Sequence, residues 1–170
     1  MDFTALTKER YSARKFTDKP LTSDEIDAIL EVAANAPTAC NKQPQRIYLI
    51  KSKAMLEAVG ASTRCTFGAP VLFVVCYDKT VCWKREFDGQ EYGAVDATIV
   101  LTQMMLKVTE LGLGSTFVGW FDPAVLRKAL NLPANIIPVG ILPVGHPAPG
   151  AGPAPAHTER RGAAALTTVL

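Results

Sequence analysis

The stretch Pro70-Val71-Leu72-Phe73-Val74-Val75-Cys76-Tyr77 constrains this chain more than any other. It is apolar without alternation and rich in β-branched and aromatic residues. That pattern reads as a strand buried on both faces, in the middle of a sheet. Shorter runs supply companions. Arg46-Ile47-Tyr48-Leu49-Ile50 reads as a strand, residues 115–119 as a third, and residues 136–144 as a fourth with Pro138 and Pro143 near its ends.

A second constraint comes from residues 93–111. Ala94, Val95, Ala97, Ile99, Val100, Leu101, Met104, Met105, Leu106 and Val108 leave this long helix apolar almost all round. A helix without a polar face is buried in a core or in an interface. In one small domain a dimer interface is the economical place for it. Gly112-Leu113-Gly114 ends it. The other helices are marked by their starts. Asp2 can cap a first helix through Lys8, and Thr22 with Glu25 has capping-box spacing before Ile26, Ile29, Leu30 and Ala33, with Pro37 as the stop. Residues 53–59 form a short helix, and residues 83–92 read as a charged, irregular segment with Lys84 and Arg85 solvated. Asp122-Pro123 is an N-cap followed by proline at the first helical position.

Composition bounds the function classes. The 170 residues fit one domain, and 48% hydrophobic against 20% charged content is that of a folded globular protein. Eighteen Lys and Arg against 16 Asp and Glu give a net charge of +2, far from a nucleic-acid binder. Asp96, Thr98, Thr102, Gln103 and Lys107 interrupt the longest apolar stretches, so none reaches the roughly 18 residues of a membrane span, and no charged segment followed by an apolar core marks a signal peptide. Cys40, Cys65, Cys76 and Cys82 contain no C-x-x-C pair, and His146 and His157 lie far from them. Zinc and iron–sulfur sites are therefore not expected, and reduced thiols in a cytoplasmic protein are.

Three segments carry candidate chemistry. Arg10-Tyr11-Ser12-Ala13-Arg14-Lys15-Phe16 puts three cations and a serine hydroxyl together. Guanidinium donors match a phosphate, and the spacing places Arg10 with Arg14 if helical, or 10, 12 and 14 together if extended. A solvated basic turn is the alternative. Residues 36–44, Ala-Pro-Thr-Ala-Cys-Asn-Lys-Gln-Pro, form a proline-bracketed loop whose backbone N–H groups have no ladder to join. Asn41 and Gln43 each offer a donor and an acceptor, as a heterocycle edge requires, though an Asn-anchored turn would look the same. Residues 147–158 are rich in Pro, Ala and Gly and read as an extended linker. They deliver a β-prone tail, residues 159–170, with Glu159-Arg160-Arg161 at its start. Such a tail must dock on a sheet edge, its own or a partner's.

Taken together, these stretches resemble the FMN-dependent nitroreductases. The opening segment resembles that family's phosphate grip, and residues 36–44 resemble its Pro-Ser-x-x-Asn-x-Gln-Pro loop. Leu111-Gly112-Leu113-Gly114-Ser115 with Val118-Gly119 resembles its helix end and following strand, and Pro143-Val144-Gly145-His146 with the later basic pair resembles its C-terminal portion. The resemblance implies an α+β fold, a mixed and mostly antiparallel sheet flanked by helices, in a single domain over residues 1–170. It also implies a homodimer in which the C-terminal tails are exchanged and FMN lies at the subunit interface. Hydride would move by a ping-pong route, with NADH or NADPH as transient co-substrate and a nitroaromatic, quinone or similar electron-poor small molecule as acceptor.

By the same resemblance Arg10, Tyr11, Ser12 and Arg14 would hold the phosphate and ribityl chain, and Arg160 or Arg161 would close the clamp. Pro37, Thr38, Ala39, Asn41 and Gln43 would reach the flavin from the other subunit, and Val118 and Gly119 would line it on the opposite side. No catalytic side chain and no metal is implied, because the flavin carries the chemistry. No G-x-G-x-x-G follows a strand, so a permanent dinucleotide site is not expected either. Tyr11, Cys40 and Gln45 depart from the family pattern. A flavin-binding redox sensor, or an enzyme of this fold with another flavin reaction such as reductive dehalogenation, are the alternatives.

Overall fold

In the computed structural model, which describes residues 2–170, the apolar run is strand β2 (Val71–Asp78), buried at every position. It lies between β1 (Gln45–Ile50) and β4 (Ile136–Gly145), and β3 (Gly114–Ser115) completes a sheet of order β1-β2-β4-β3. The three ladders are antiparallel. One isolated parallel bridge, Ser12 to Ser115, brings the opening segment to the sheet.

Alternation along β2 decides the layering, because successive side chains of a strand point to opposite faces. Phe73 and Val75, with Leu142 and Val144 of β4, pack against α2 (Ser23–Ala34) and α4 (Gly93–Glu110) through Ile29, Val100, Leu101 and Met104. Leu72, Val74 and Cys76, with Ile141, pack against α3 (Lys53–Gly60) and α5 (Pro123–Ala129) through Val59 and Leu126. Burial pushes the Cys76 thiol up to about 12, so this cysteine is an inert core residue.

The capping signals hold. Asp2 accepts the Ala5 N–H ahead of α1 (Phe3–Glu9), Thr22 and Glu25 form both bonds of the capping box, and Asp122 accepts two N–H groups with Pro123 at the helix start. Between Val75 and Cys76 the β2–β4 register shifts, with Val75 opposite Gly140 and Cys76 opposite Pro138. A Cβ at Gly140 would lie 2.9 Å from Leu101 Cδ1 and 3.1 Å from Phe117 Cζ, so a larger residue there would have to displace both side chains.

Two expectations are corrected. The third strand is two residues long rather than five. After Ser115 the chain leaves the ladder, Phe117 packs over Gly140, and contact with β4 resumes only at the Val118–Ile141 bridge. On one protomer the long helix exposes Val95, Thr98 and Thr102, the stripe an interface would cover, with the Thr98 and Thr102 hydroxyls donating to Ala94 O and Thr98 O at 2.8 Å. Lys84 and Arg85 are not free in solvent. Lys84 pairs with Glu91 at 2.8 Å, and Arg85 pairs with Asp88 and donates to the Tyr92 hydroxyl at 3.0 Å.

The C-terminal residues fall into two parts. Residues 147–158 are tied down at their start, where Pro147 bridges Phe16 and the Ala148 N–H donates to Lys15 O at 3.1 Å. The tail contains a helical turn, α6 (Ala163–Leu166), and no strand among its described residues. Three consecutive alanines favour helix over strand. Leu166, Val169 and Leu170 are exposed, so the tail rests on no sheet of its own protomer.

One carboxylate at the end of β2 makes stability depend on acid. Asp78 is held down to about 2, first by the Thr80 hydroxyl at 2.6 Å, then by the Asn135 amide at 2.9 Å, with Arg46 at 3.4 Å. A carboxyl depressed from its unfolded value near roughly 4 stabilises the fold above that pH and loses the contribution as pH falls toward 2. In acid unfolding, the wild-type protein should therefore lose stability more steeply below pH 4 than Asp78→Asn does. Equal slopes would remove Asp78 from the acid response.

Candidate functional site

The candidate site is built on the opening strip, and the strip is extended rather than helical. Arg10 caps the end of α1. Beyond it Ser12 pairs with Ser115, and the Ala13 N–H donates to Ser115 O at 2.9 Å. Ala13 is fully buried, and a Cβ at Gly114 would approach its Cβ to 2.7 Å, so the strip lies tight on β3 because residue 114 has no side chain. With Ala13 turned inward, Ser12 and Arg14 share the outer side. They line a cavity of about 190 Å³ with Lys15, Gly150, Ala151, Gly152 and Ala154. Arg14 Nη1 lies 3.5 Å from Ser12 O.

Arg14 also borders a second cavity, of about 150 Å³, whose walls include Cys65, Phe67, Phe117, Val118, Gly119 and Trp120. Val118 is 5% exposed, with its N–H and C=O bonded to Ile141, while Gly119 and Trp120 are open to solvent. Arg64 stacks over the Trp120 ring at 4.8 Å. One arginine thus joins a hydroxyl- and cation-lined hollow to an aromatic one. The first suits a dianionic phosphate and the second a flat apolar ring, which is the donor and surface set FMN requires.

The amide loop lies elsewhere in the protomer. Thr38 Oγ1 accepts the Gln43 N–H at 3.0 Å, Gln43 Nε2 donates to Asn41 O at 3.3 Å, and the Ala39 N–H donates to Asp96 Oδ1 at 2.9 Å. Pro37, Asn41 and Gln43 are exposed, and Thr38 and Ala39 half-buried. None of these residues lines the Arg14 cavities. Arg160 is also apart from them. Its Nη1 donates to Glu159 O at 2.8 Å, and it lines a hollow against α1 with Thr7, Lys8 and His157. Arg161 is exposed, and Arg10 and Tyr11 are half-buried outside the cavity.

Sequence reasoning missed two contributors. Residues 150–154 form a wall of the Arg14 cavity, and the glycines at 150 and 152, which read as linker, were the available sign. Asp96 holds the amide loop, and its sign was a carboxylate inside an otherwise apolar helix.

The family model named Nitroreductase family matches residues 7–67 and 63–146. The chain belongs to the nitroreductase family. A nitroreductase family protein from Clostridium difficile 630 superposes with a TM-score of 0.92 at 35% identity, over 99% of this chain and 98% of that one. A Desulfovibrio desulfuricans protein solved in complex with FMN superposes with a TM-score of 0.83 at 26% identity, over 98% and 95% of the two chains. The FMN reductase (NAD(P)H) of Bacillus subtilis is 30% identical over 162 residues, covering 85% of this chain and 65% of that protein. The α+β architecture expected for a nitroreductase is the one observed. No helix among the described residues is long and apolar enough to cross a membrane.

Proposed function

We propose that this nitroreductase-family protein is an FMN-dependent oxidoreductase that takes reducing equivalents from NADH or NADPH and delivers them to an electron-poor small molecule, such as a nitroaromatic or quinone. The observation that carries the proposal is Arg14, shared between the Ser12–Lys15 hollow and the aromatic hollow at Val118–Trp120. Bound FMN supplies reversible two-electron redox chemistry, so the protein needs no acid–base triad. Ser12, Arg14 and Lys15 hold the phosphate, Arg10 and Tyr11 support the strip that presents them, and Val118 and Gly119 back the ring.

The working unit is a homodimer. A single protomer leaves its amide loop and Arg160-Arg161 away from the Arg14 cavities, and it leaves Val95, Thr98 and Thr102 of α4 exposed without a charge among them. A second copy packed on that stripe brings Pro37, Thr38, Ala39, Asn41 and Gln43 to the flavin. The exposed tail, residues 159–170, docks on the partner and offers it Arg160 or Arg161 to close the phosphate clamp. Four free thiols suit the cytoplasm.

The test is anaerobic addition of NADH or NADPH to the purified, FMN-saturated protein. Bleaching of the bound flavin, followed by recolouring on addition of a quinone, is the expected result. A flavin that neither nucleotide bleaches would overturn the proposal.

A further inference from the structure

Within residues 36–44 the backbone at Cys40 and Gln43 takes a conformation that those side chains disfavour, beside an asparagine that tolerates it. Cys40, Asn41 and Gln43 have left-handed backbones, with φ of 49°, 52° and 48°, and none is glycine. L side chains crowd their carbonyls in that region, and the conformation persists only where surrounding bonds over-determine it. Backbone bonds from the Asn41 and Lys42 N–H groups, Gln43 Nε2 on Asn41 O and Arg46 on Gln43 O contribute, and two side chains accept N–H groups of the loop itself. Thr38 closes the loop on itself through the Gln43 N–H. Asp96, in the first turn of α4, ties the loop to the body of the protein through the Ala39 N–H.

Asp96 is an expensive choice for that task if stability were its only role. It is 2% exposed, and its second oxygen, Oδ2, is buried with no hydrogen bond among the described residues. A buried carboxylate satisfied at one oxygen costs stability compared with a neutral side chain of the same shape. Its one side-chain hydrogen bond among the described residues is with the loop. The cost is therefore attached to holding residue 39 in place.

We propose that Asp96 is the positioning residue for the flavin-facing loop. By accepting the Ala39 N–H it fixes the left-handed turn at Cys40 and Asn41, and so the direction in which Asn41 and the loop N–H groups face the cofactor. This rests on the reading of residues 36–44 as the flavin wall contributed across the dimer. Asparagine at 96 keeps an oxygen where Oδ1 stands, whereas alanine removes it.

The experiment combines hydrogen exchange over residues 36–44 of the full-length protein with FMN titration of Asp96→Ala and Asp96→Asn. Loss of a buried hydrogen bond is expected to speed loop exchange by about tenfold or more in Asp96→Ala and to weaken FMN binding by about tenfold, with exchange over α2 unchanged. Asp96→Asn is expected to match the wild type in both measurements and to melt no lower. Should Asp96→Ala fail to fold, Asp96→Ser is read the same way, since serine is too short to reach Ala39. Unchanged loop exchange in the alanine or serine variant would overturn the inference, as would an asparagine variant that frees the loop. Faster loop exchange with unchanged FMN affinity would keep Asp96 as the loop's anchor and overturn the placement of that loop at the flavin.

Discussion

Arg14→Ala should weaken FMN binding by about 10- to 100-fold, the effect of losing a charge-assisted hydrogen bond to phosphate of about 1.5–3 kcal/mol. Arg14 is the one side chain common to the Ser12–Lys15 hollow and the aromatic hollow, so its removal opens both at once. Arg14→Lys should fall between the two, because an ammonium keeps the charge and loses the planar fork. Arg14 is exposed, and its intramolecular hydrogen bond is a long 3.5 Å contact to Ser12 O, so the melting temperature of the cofactor-free protein should not move. Fluorescence titration with FMN and a thermal melt of the apoprotein separate the two quantities. An alanine variant with wild-type FMN affinity would place the phosphate elsewhere.

The largest loss of stability should come from Phe73→Ala. Phe73 is fully buried in the central strand, between Leu49 of β1 and Leu142 of β4, on the face covered by α2 and α4. Truncation removes a ring's burial and leaves a cavity in a layer that two ladders and two helices hold rigid, at a cost of about 3–5 kcal/mol. For a domain of this size that lowers the melting temperature by about 6–20 °C. Phe73→Leu, which keeps most of the volume, should cost far less. A melting temperature within a few degrees of wild type for the alanine variant would mean that this layer repacks, contrary to the antiparallel pairing on both sides of Phe73.

The fold was largely legible because its strongest signals are local and one-dimensional. Continuous apolarity over residues 70–77 marked a doubly buried strand, and Asp2, Thr22 with Glu25, and Asp122-Pro123 marked helix starts by hydrogen bonds made within a few residues. The third strand was overextended because Thr116-Phe117-Val118 has high β propensity, while the actual path is set by Phe117 packing over Gly140, a contact between distant positions. Within one protomer the tail follows the helical preference of Ala163-Ala164-Ala165, because Thr167, Val169 and Leu170 have no ladder partner there.

The site was legible in part. Arg10, Ser12 and Arg14 were recognisable as a strip, yet composition left helix and extended chain equal, and the bridge to Ser115 decides between them. Lys84 and Arg85 looked solvated because their partners, Glu91 and Asp88, are reached only through a turn at Gly89, whose φ of 71° no spacing rule announces. Asp96 looked like an interruption in an apolar helix. Its role appears only when a loop from far upstream is folded against it.

The bridge from Ser12 to Ser115, with that from Phe16 to Pro147, has a kinetic consequence. Each bridge joins positions more than 100 residues apart, and contacts of such sequence separation form late because the intervening chain must be ordered first. Ser12, Arg14 and Lys15 therefore face one another across the Gly150–Ala154 wall only after β3 and β4 have closed the sheet. Helices α2 and α4 can pack on a nascent core well before that moment. Appearance of flavin affinity during refolding thus reports the last stage of assembly rather than collapse, and free FMN, by binding only the finished sheet, withdraws completed molecules from the pool that can still unfold.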